Sequence, residues 1–313
     1  MKAQILGSLR EHGAYVSGEL LSRQLGISRV SIWKHIHRLE KDGYVIEASP
    51  RGYRLVTSPD LLLPCEFPAL EHKIHYFPKV GSTMDVAREL ARQGAPEGTI
   101  VIAETQTHGR GRLSREWLSP EGGVYFTLIL RPRIGPAYAP RVNLMVAVAA
   151  AATIRRLFGL KVGLKWPNDV LIAGKKVCGI LAEMDAEMDT VNFVNVGVGI
   201  NANTSISQFE KTAISLKEAL GMEISRKEFL GAMLMEMKRH QSVLMKANLL
   251  EEWKKLSATL NRDVKIMAPG EVIVGRAIDI GATGALIIRE RDGSLKSVAA
   301  GDCIHLLQET RTR

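Results

Sequence analysis

The chain has 313 residues, 46% of them hydrophobic and 24% charged, which is ordinary for globular protein and leaves room for two or three domains. A formal net charge of +9 favours a polyanionic partner such as a nucleotide or nucleic acid, though charge says nothing of fold. Cys65, Cys178 and Cys303 are odd in number, widely spaced and free of any CxxC pattern, which argues against a disulfide framework and for a reducing cytosol.

Met1 to His12 reads as a helix with Ile5, Leu6 and Leu9 on one face. Ser17 can cap a second helix, Gly18 to Leu25, which Gly26 breaks, and Ser28 can cap a third running to about Lys41. In that third helix Ile32, Ile36 and Leu39 form the inward stripe and leave Arg29, Ser31, Lys34, His35 and Arg38 largely outward. Two helices joined by a short glycine-containing turn make a helix-turn-helix, whose second helix can enter a major groove. Tyr44–Glu47, a turn through Ser49-Pro50-Arg51-Gly52, and Tyr53–Val56 then form a hairpin whose tip residue, Arg51, can reach a phosphate. The candidate DNA contacts are Ser28, Arg29, Ser31, Lys34, His35, Arg38 and Arg51; a small helical domain for protein contacts is the alternative. His35 and His37 are two apart on this helix and face different ways, and the eight histidines show no metal-ligand spacing, so no structural metal is expected. The amino end lacks the apolar core of a signal peptide, and no run of about 18 apolar residues predicts a membrane span. A cytoplasmic protein with no membrane partner is the expectation. Thr57-Ser58-Pro59-Asp60, with Pro64 and Pro68 behind it, marks a linker over residues 58–72, after a first domain of residues 1–57.

Lys73 to Phe77 reads as a short strand and Met84 to Gln93 as a helix, with Ser82 or Thr83 at its start to cap the backbone or bond a small ligand. Thr99–Ala103 and Val124–Leu130 read as buried strands. Between them, Gly109-Arg110-Gly111-Arg112 and the following Arg115 give a loop where backbone can approach a ligand and three guanidiniums can converge on an anion. A solvated basic loop is the bland alternative. Ser119-Pro120-Glu121-Gly122-Gly123 is a turn, and Pro140 to Phe158 an amphipathic helix with Leu144, Val148 and Ile154 in the core.

Lys165-Trp166-Pro167-Asn168-Asp169 ends one strand in a turn, and a hairpin through Ala173-Gly174 follows. Its second arm starts at Lys176, at the mouth of a sheet, and carries Gly179, where a ligand can lie against backbone. A surface hairpin with solvated lysines is the competing reading. Val194 to Ile200 is a further strand, closed by Asn201, whose Gly197 and Gly199 leave room for something flat. Ser225 can cap a helix to about Ala247, with Phe229, Met233, Met237 and Leu244 as its apolar stripe, and Leu249 to Leu256 continues as helix. From Arg262 the pattern changes to short strands, Val264–Met267, Glu271–Ile280, Ala285–Arg289, Leu295–Ala299 and Cys303–Leu307, suggesting a small antiparallel barrel. The expected class is α/β (α+β): a winged helix-turn-helix, a mixed-sheet central domain over residues 73–260 and a barrel over residues 261–313.

The arginine loop, the Lys-Trp-Pro-Asn-Asp run with its Lys-Val-Cys-Gly-Ile-Leu sequel, and Gly-Val-Gly-Ile-Asn occur in this order in biotin–protein ligases. With the helix-turn-helix in front, the whole chain resembles the bifunctional type that is also the biotin-operon repressor. That resemblance implies ATP-dependent formation of biotinyl-5′-adenylate, then transfer of biotin to a lysine of the biotin carboxyl carrier protein of acetyl-CoA carboxylase. It further implies a homodimer, when loaded with adenylate, that binds the operator DNA of biotin genes, and an SH3-like carboxyl-terminal domain. By position, Ser82, Thr83, Gln106, Arg110, Gly111, Arg112 and Lys176 match biotin-site residues, with Met84 where many members have Asn and Ser114 at a position often Gly. Arg110, Arg112 and Lys176 are the expected catalytic cations. Arg115, Trp117, Lys165, Asn168, Asp169 and Asn201 are the expected nucleotide-binding residues, and Asp169 is the candidate ligand for Mg²⁺ arriving with ATP. The competing functions are a biotin-sensing repressor without ligase activity and a lipoate-ligase-like acyl transferase.

Overall fold

A computed structural model describes residues 1–306 and divides the chain into two compact units, Met1–Tyr76 and Phe77–Arg313. The first begins with α1 (Lys2–His12), α2 (Gly18–Leu25) and α3 (Arg29–Lys41). Their ends follow local chemistry. Ser17 Oγ accepts from Leu20 N and Ser28 Oγ from Ser31 N, while Gly13 and Gly26 close α1 and α2 with left-handed φ of 59° and 66°. Ile5, Leu6 and Leu9 of α1, Leu21 of α2, and Ile32, Ile36 and Leu39 of α3 share one core. The wing is the antiparallel pair β1 (Val45–Ser49) and β2 (Gly52–Thr57), with Ser49 opposite Gly52 so that only Pro50 and Arg51 make the turn. Val16 and Tyr53 exchange backbone hydrogen bonds of 2.8 and 2.9 Å, tying the wing to the α1–α2 loop. Gly52, at φ 124°, is required there: a Cβ would lie 2.1 Å from the Val16 carbonyl oxygen.

Residues 58–72 are more ordered than a linker need be. They contain short 3-10 turns at Pro64–Glu66 and, just overlapping their end, at Glu71–Lys73. Leu63 and Cys65 enter the helical core, and Glu66 accepts hydrogen bonds from Tyr44 Oη (2.6 Å) and Arg10 Nη2 (2.8 Å).

The second unit is built on a seven-stranded sheet of β3 (Ile74–Val80), β4 (Ile100–Gln106), β5 (Val124–Leu130), β6 (Val162–Lys165), β7 (Asp169–Ile172), β8 (Lys175–Glu187) and β9 (Thr190–Ile200). Their spatial order is β3-β4-β5-β9-β8-β7-β6, which puts β8 and β9 near the centre. α4 (Thr83–Arg92) covers one face through Ala87 and Ala91, which pack with Val101, Ile129 and Phe193. α5 (Pro140–Phe158) packs against β6, β7 and β8. Contrary to the expectation of no such run, Pro136–Phe158, which is α5 with the short 3-10 turn before it, is long and apolar enough to cross a membrane, with mean hydropathy 1.3. Because 72% of that window is buried inside the protein, α5 is a core helix.

α6 (Leu216–Leu220) starts with a capping box between Ser215 and Glu218 and was not anticipated. The single long helix expected from Ser225 is two: α7 (Arg226–Gln241) and α8 (Ala247–Leu256), both against α5. The chain ends in an antiparallel sheet of β10 (Asp263–Ala268), β11 (Glu271–Ile280), β12 (Leu286–Arg289), β13 (Leu295–Val298) and β14 (Asp302–His305), in the order β13-β12-β11-β10-β14. Among the described residues β13 and β14 do not pair to close a barrel. Leu307, the last residue of the expected final strand, lies outside the described residues.

Candidate functional site

Three glycines make the floor. Gly179 of β8 and Gly199 of β9 are register partners, and Gly197 faces the same way two residues along. A Cβ on Gly199 would stand 2.3 Å from Trp117 Nε1, one on Gly179 2.7 Å from Trp117 Cζ3, and one on Gly197 2.6 Å from Met84 Sδ. The flat object for which these glycines leave room includes the chain's own Trp117 indole, with the Met84 thioether beside it. Trp117 Nε1 is enclosed and has no hydrogen-bond partner among the described residues, an exception to the rule that buried donors are paired.

The wall nearest α4 is a polar chain. Thr127 Oγ1 donates to Thr83 Oγ1 (2.9 Å), Thr83 donates to Gln106 Oε1 through its backbone N (2.8 Å) and hydroxyl (3.1 Å), and Gln106 Nε2 donates to Ser119 Oγ (2.8 Å). Ser82 is buried and its Oγ accepts from Met84 N at 3.3 Å, so its capping role is filled. Ser119 and Thr127 were not anticipated; neither belongs to a recognisable motif.

The arginine loop folds back on itself through Gly111 N to Arg115 O (2.8 Å) and Trp117 N to Gly109 O (2.8 Å). Leu113 and Ser114 bend it with φ of 53° and 58°, so Ser114 adopts the conformation that glycine takes with least strain. Its three guanidiniums are held by different acceptors. Arg110 pairs with Glu183 (2.6 Å) and Asp85 (3.1 Å), and Arg88 also reaches Glu183 (2.8 Å). Arg112 donates to Asn168 Oδ1 (3.1 Å) and the Gly301 carbonyl (2.6 Å), and burial lowers its pKa. Arg115 meets Asp302 at 2.6 Å. Asp85, Glu183, Gly301 and Asp302 carried no signal in sequence, because each is brought in by tertiary structure.

The Lys-Trp-Pro-Asn-Asp run splits by side. Trp166 is buried, with its backbone N bonded to Thr259 Oγ1 (3.0 Å) and Nε1 to the Gly284 carbonyl (3.1 Å). Asn168 is buried too, and while accepting from Arg112 it donates to Ile180 O at 2.6 Å, so it positions the arginine. Asp169 pairs with Lys176 at 2.6 Å, and Lys176 Nζ lies 5.2 Å from the Trp117 ring centroid. Asn201 is buried and bridges the Lys176 and Ile214 carbonyls at 3.4 Å each.

These residues line two adjoining cavities. One, of about 130 Å³, has Thr83, Met84, Gln106, Arg110, Arg112 and Gly197 in its wall. The other, of about 610 Å³, has Lys165, Asn201, Leu118 and Cys303. Arg115, Trp117, Asp169, Lys176 and Asp302 face both. The larger is in the usual range for a small-molecule site. Burial pushes the Cys303 thiol up to about 12, which keeps it protonated and unreactive.

In the winged unit Arg29, Lys34, Arg38 and Arg51 are exposed, with the Arg51 guanidinium over the Tyr15 ring at 4.7 Å. Ser28 and Ser31 bond each other at 3.0 Å. Ser31 and His35, expected outward, are only half-exposed, and His35 Nδ1 is enclosed; burial, then Arg38, lowers its pKa. Val30 and Trp33, absent from the expected set, are exposed.

Residues 76–201 match the Biotin/lipoate A/B protein ligase family, residues 2–54 an HTH domain and residues 259–306 the Biotin protein ligase C terminal domain. The chain is 37% identical over 303 residues to the Bifunctional ligase/repressor BirA of Bacillus subtilis, covering 91% of this chain and 93% of that one. It is 31% identical over 309 residues to the protein of the same name from Escherichia coli, covering 94% of each. The structure of a biotin protein ligase from Aquifex aeolicus in complex with biotin and ATP superposes with a TM-score of 0.64 at 27% identity, over 75% of this chain and 98% of that one.

Proposed function

Because the chain belongs to the BirA family of bifunctional ligase/repressors, we propose that the two cavities join biotin to ATP and that the winged helix carries the result to DNA. The chain is a biotin–protein ligase and repressor, and the reading assigned to this site is how its own residues perform the ligation. A biotin carboxylate oxygen attacks the α-phosphorus of ATP, the bond to the bridging oxygen breaks, and pyrophosphate leaves. The amine of a lysine on the carrier domain of acetyl-CoA carboxylase then attacks the acyl carbon, AMP departs and the amine proton passes to solvent. Both reactants of the first step are anions, so the main requirement is preorganised positive charge.

The observation that carries this reading is the meeting of Arg112 and Lys176, from a loop and a strand far apart in sequence, at the glycine floor of one cavity. Thr83, Gln106 and Met84 line the smaller cavity, which suits the uncharged end of biotin. Trp117, Arg115, Lys165, Asp169 and Asn201 line the larger, which suits the nucleotide. Arg110, already matched by two carboxylates, supports the loop and adds little net charge. Mg²⁺ enters as part of the MgATP substrate. Such an ion is held mainly by phosphates with one or two carboxylates, and Asp169 and Asp302 in the wall of the larger cavity are the carboxylates placed to meet it.

The adenylate-loaded protein, acting in the cytoplasm, pairs with a second copy through this sheet and binds the operator of biotin genes. Support for pairing comes from β8, whose partner β7 ends opposite Gly179, leaving one edge of Ala182–Glu187 unpaired among the described residues. The test measures pyrophosphate release with ATP plus biotin, ATP plus lipoate, and ATP alone. Release with biotin only is expected. Release favouring lipoate, or none with either, would select one of the two competing functions. Retardation of a biotin-gene promoter fragment by biotin plus ATP, and not by ATP alone, tests the repressor half.

A further inference from the structure

We propose that α3 reads thymine methyl groups through Val30 and Trp33, an inference that rests on the DNA-binding reading of the winged unit. The core of that unit takes Ile32, Ile36 and Leu39, which turns positions 30, 33, 34 and 37 of the same helix toward solvent at one-turn spacing. Val30 is 62% exposed and Trp33 50% exposed, one turn apart. A single exposed apolar side chain is normal, but this pair is set in a ring of cations. Arg29 and Lys34 adjoin it, Arg38 follows one turn on, and Arg51 stands at the tip of the wing. The Trp33 ring rests against His37, with centroids 4.4 Å apart and planes inclined by 54°, which fixes how it projects. Between α3 and the wing runs a groove of about 480 Å³ whose wall includes Arg29, Val30, Trp33, Pro50 and Tyr53. Glu19, the carboxylate in that wall, faces Arg23 at 3.6 Å.

Cations around an apolar centre match a duplex seen from its major groove. Phosphates flank the groove on both sides, and the apolar group exposed on its floor is the C5 methyl of thymine. Trp33, 50% exposed, offers a large apolar ring with a single N–H donor, so most of the surface it presents suits contact with methyls.

The experiment uses the full chain with biotin, ATP and Mg²⁺ to select duplexes from a random-sequence pool. Each thymine of the selected duplex is then replaced by deoxyuridine, which deletes only the methyl. At one or more positions the unaltered protein should bind about fourfold more weakly, the worth of one buried methyl, while Trp33→Ala and Val30→Ala should each lose about that sensitivity at the position it contacts. Trp33→Phe, which keeps a ring, should retain part of it and guards against misfolding as the explanation. Indifference of the unaltered protein to every deoxyuridine, or an unchanged pattern in both alanine variants, overturns the proposal while leaving DNA binding in place. A pool that yields no enriched duplex overturns the DNA-binding reading itself and the proposal with it.

Discussion

Lys176 is held between the Asp169 carboxylate at 2.6 Å and the Trp117 ring, so its position is set before substrate arrives. Under the proposed mechanism its removal deletes a cation from the place where two anions must meet and leaves the Asp169 carboxylate without its partner. Lys176→Ala is expected to lower biotinyl-adenylate formation about 100- to 1,000-fold, the usual cost of one preorganised donor. Pyrophosphate release checks the rate and thermal melting checks the fold; a loss under tenfold would remove Lys176 from the chemistry. Gly199→Ala tests the floor. The added Cβ would lie 2.3 Å from Trp117 Nε1, so the indole must leave its seat, whereas the strand itself tolerates alanine. Adenylate formation should fall at least about tenfold, the cost of losing an aligned contact, with little change in melting. An unchanged rate would show that the indole's place over Gly199 is immaterial. At this scale the motifs were legible because glycine and arginine are needed for backbone approach and anion binding. Arg110 was legible only in half: its motif position was clear, but Glu183 and Asp85, which neutralise it, come from β8 and α4. Met84 read as a departure from the family pattern, and its thioether lies against the space that Gly197 leaves.

Elements were predicted best where their ends carry their own chemistry. Ser17, Ser28 and Ser225 all cap as expected, each accepting a backbone N–H of the first turn. The break between α7 and α8 had no such mark. There the chain tightens through Val243 N to His240 O and Lys246 N to Val243 O, and Arg141 of α5 takes the Lys246 carbonyl at 2.7 Å. That capture is tertiary, and Leu244 remains buried across it, which is why the apolar stripe seemed continuous. β14 shows the same dependence on distant partners. Thr259 Oγ1 accepts from Trp166 N at 3.0 Å, which leaves its hydroxyl hydrogen for His305 Nε2, also at 3.0 Å, provided the ring is neutral. Burial, then Lys165 and Arg262, lowers the His305 pKa to about 4. The unfolded ring takes up a proton near its ordinary value of about 6.5, whereas the folded ring resists until about 4. Stability linked to His305 is therefore fully present above pH about 6.5 and declines as pH falls toward 4. The melting temperature of His305→Asn should fall less between pH 7 and pH 4.5 than that of the unaltered chain. Parallel pH profiles would show that His305 contributes nothing to the acid sensitivity.

For the whole molecule, the order of motifs along the chain was readable and their order in space was not. Gly179 and Gly199 become partners only because β8 and β9 pair, and Asp302 meets Arg115 across most of the unit's length in sequence. The chain divides into Met1–Tyr76 and Phe77–Arg313; the candidate DNA contacts all lie in the first unit and the residues around the glycine floor all lie in the second. This gives a prediction at the same scale. Lys34 is exposed on α3 beside Val30 and Trp33, and we propose it as a phosphate contact that reads no base. Lys34→Ala should weaken binding about equally on every duplex tested and reduce the slope of log K against log salt by about one, the release of one counterion. Pyrophosphate release by the same protein should be unchanged, because Lys34 belongs to the other unit. A duplex-dependent loss would instead make Lys34 a base-reading residue, and an unaltered salt slope would remove it from the phosphate contacts. Loss of ligation along with DNA binding would mean that the two units do not act independently.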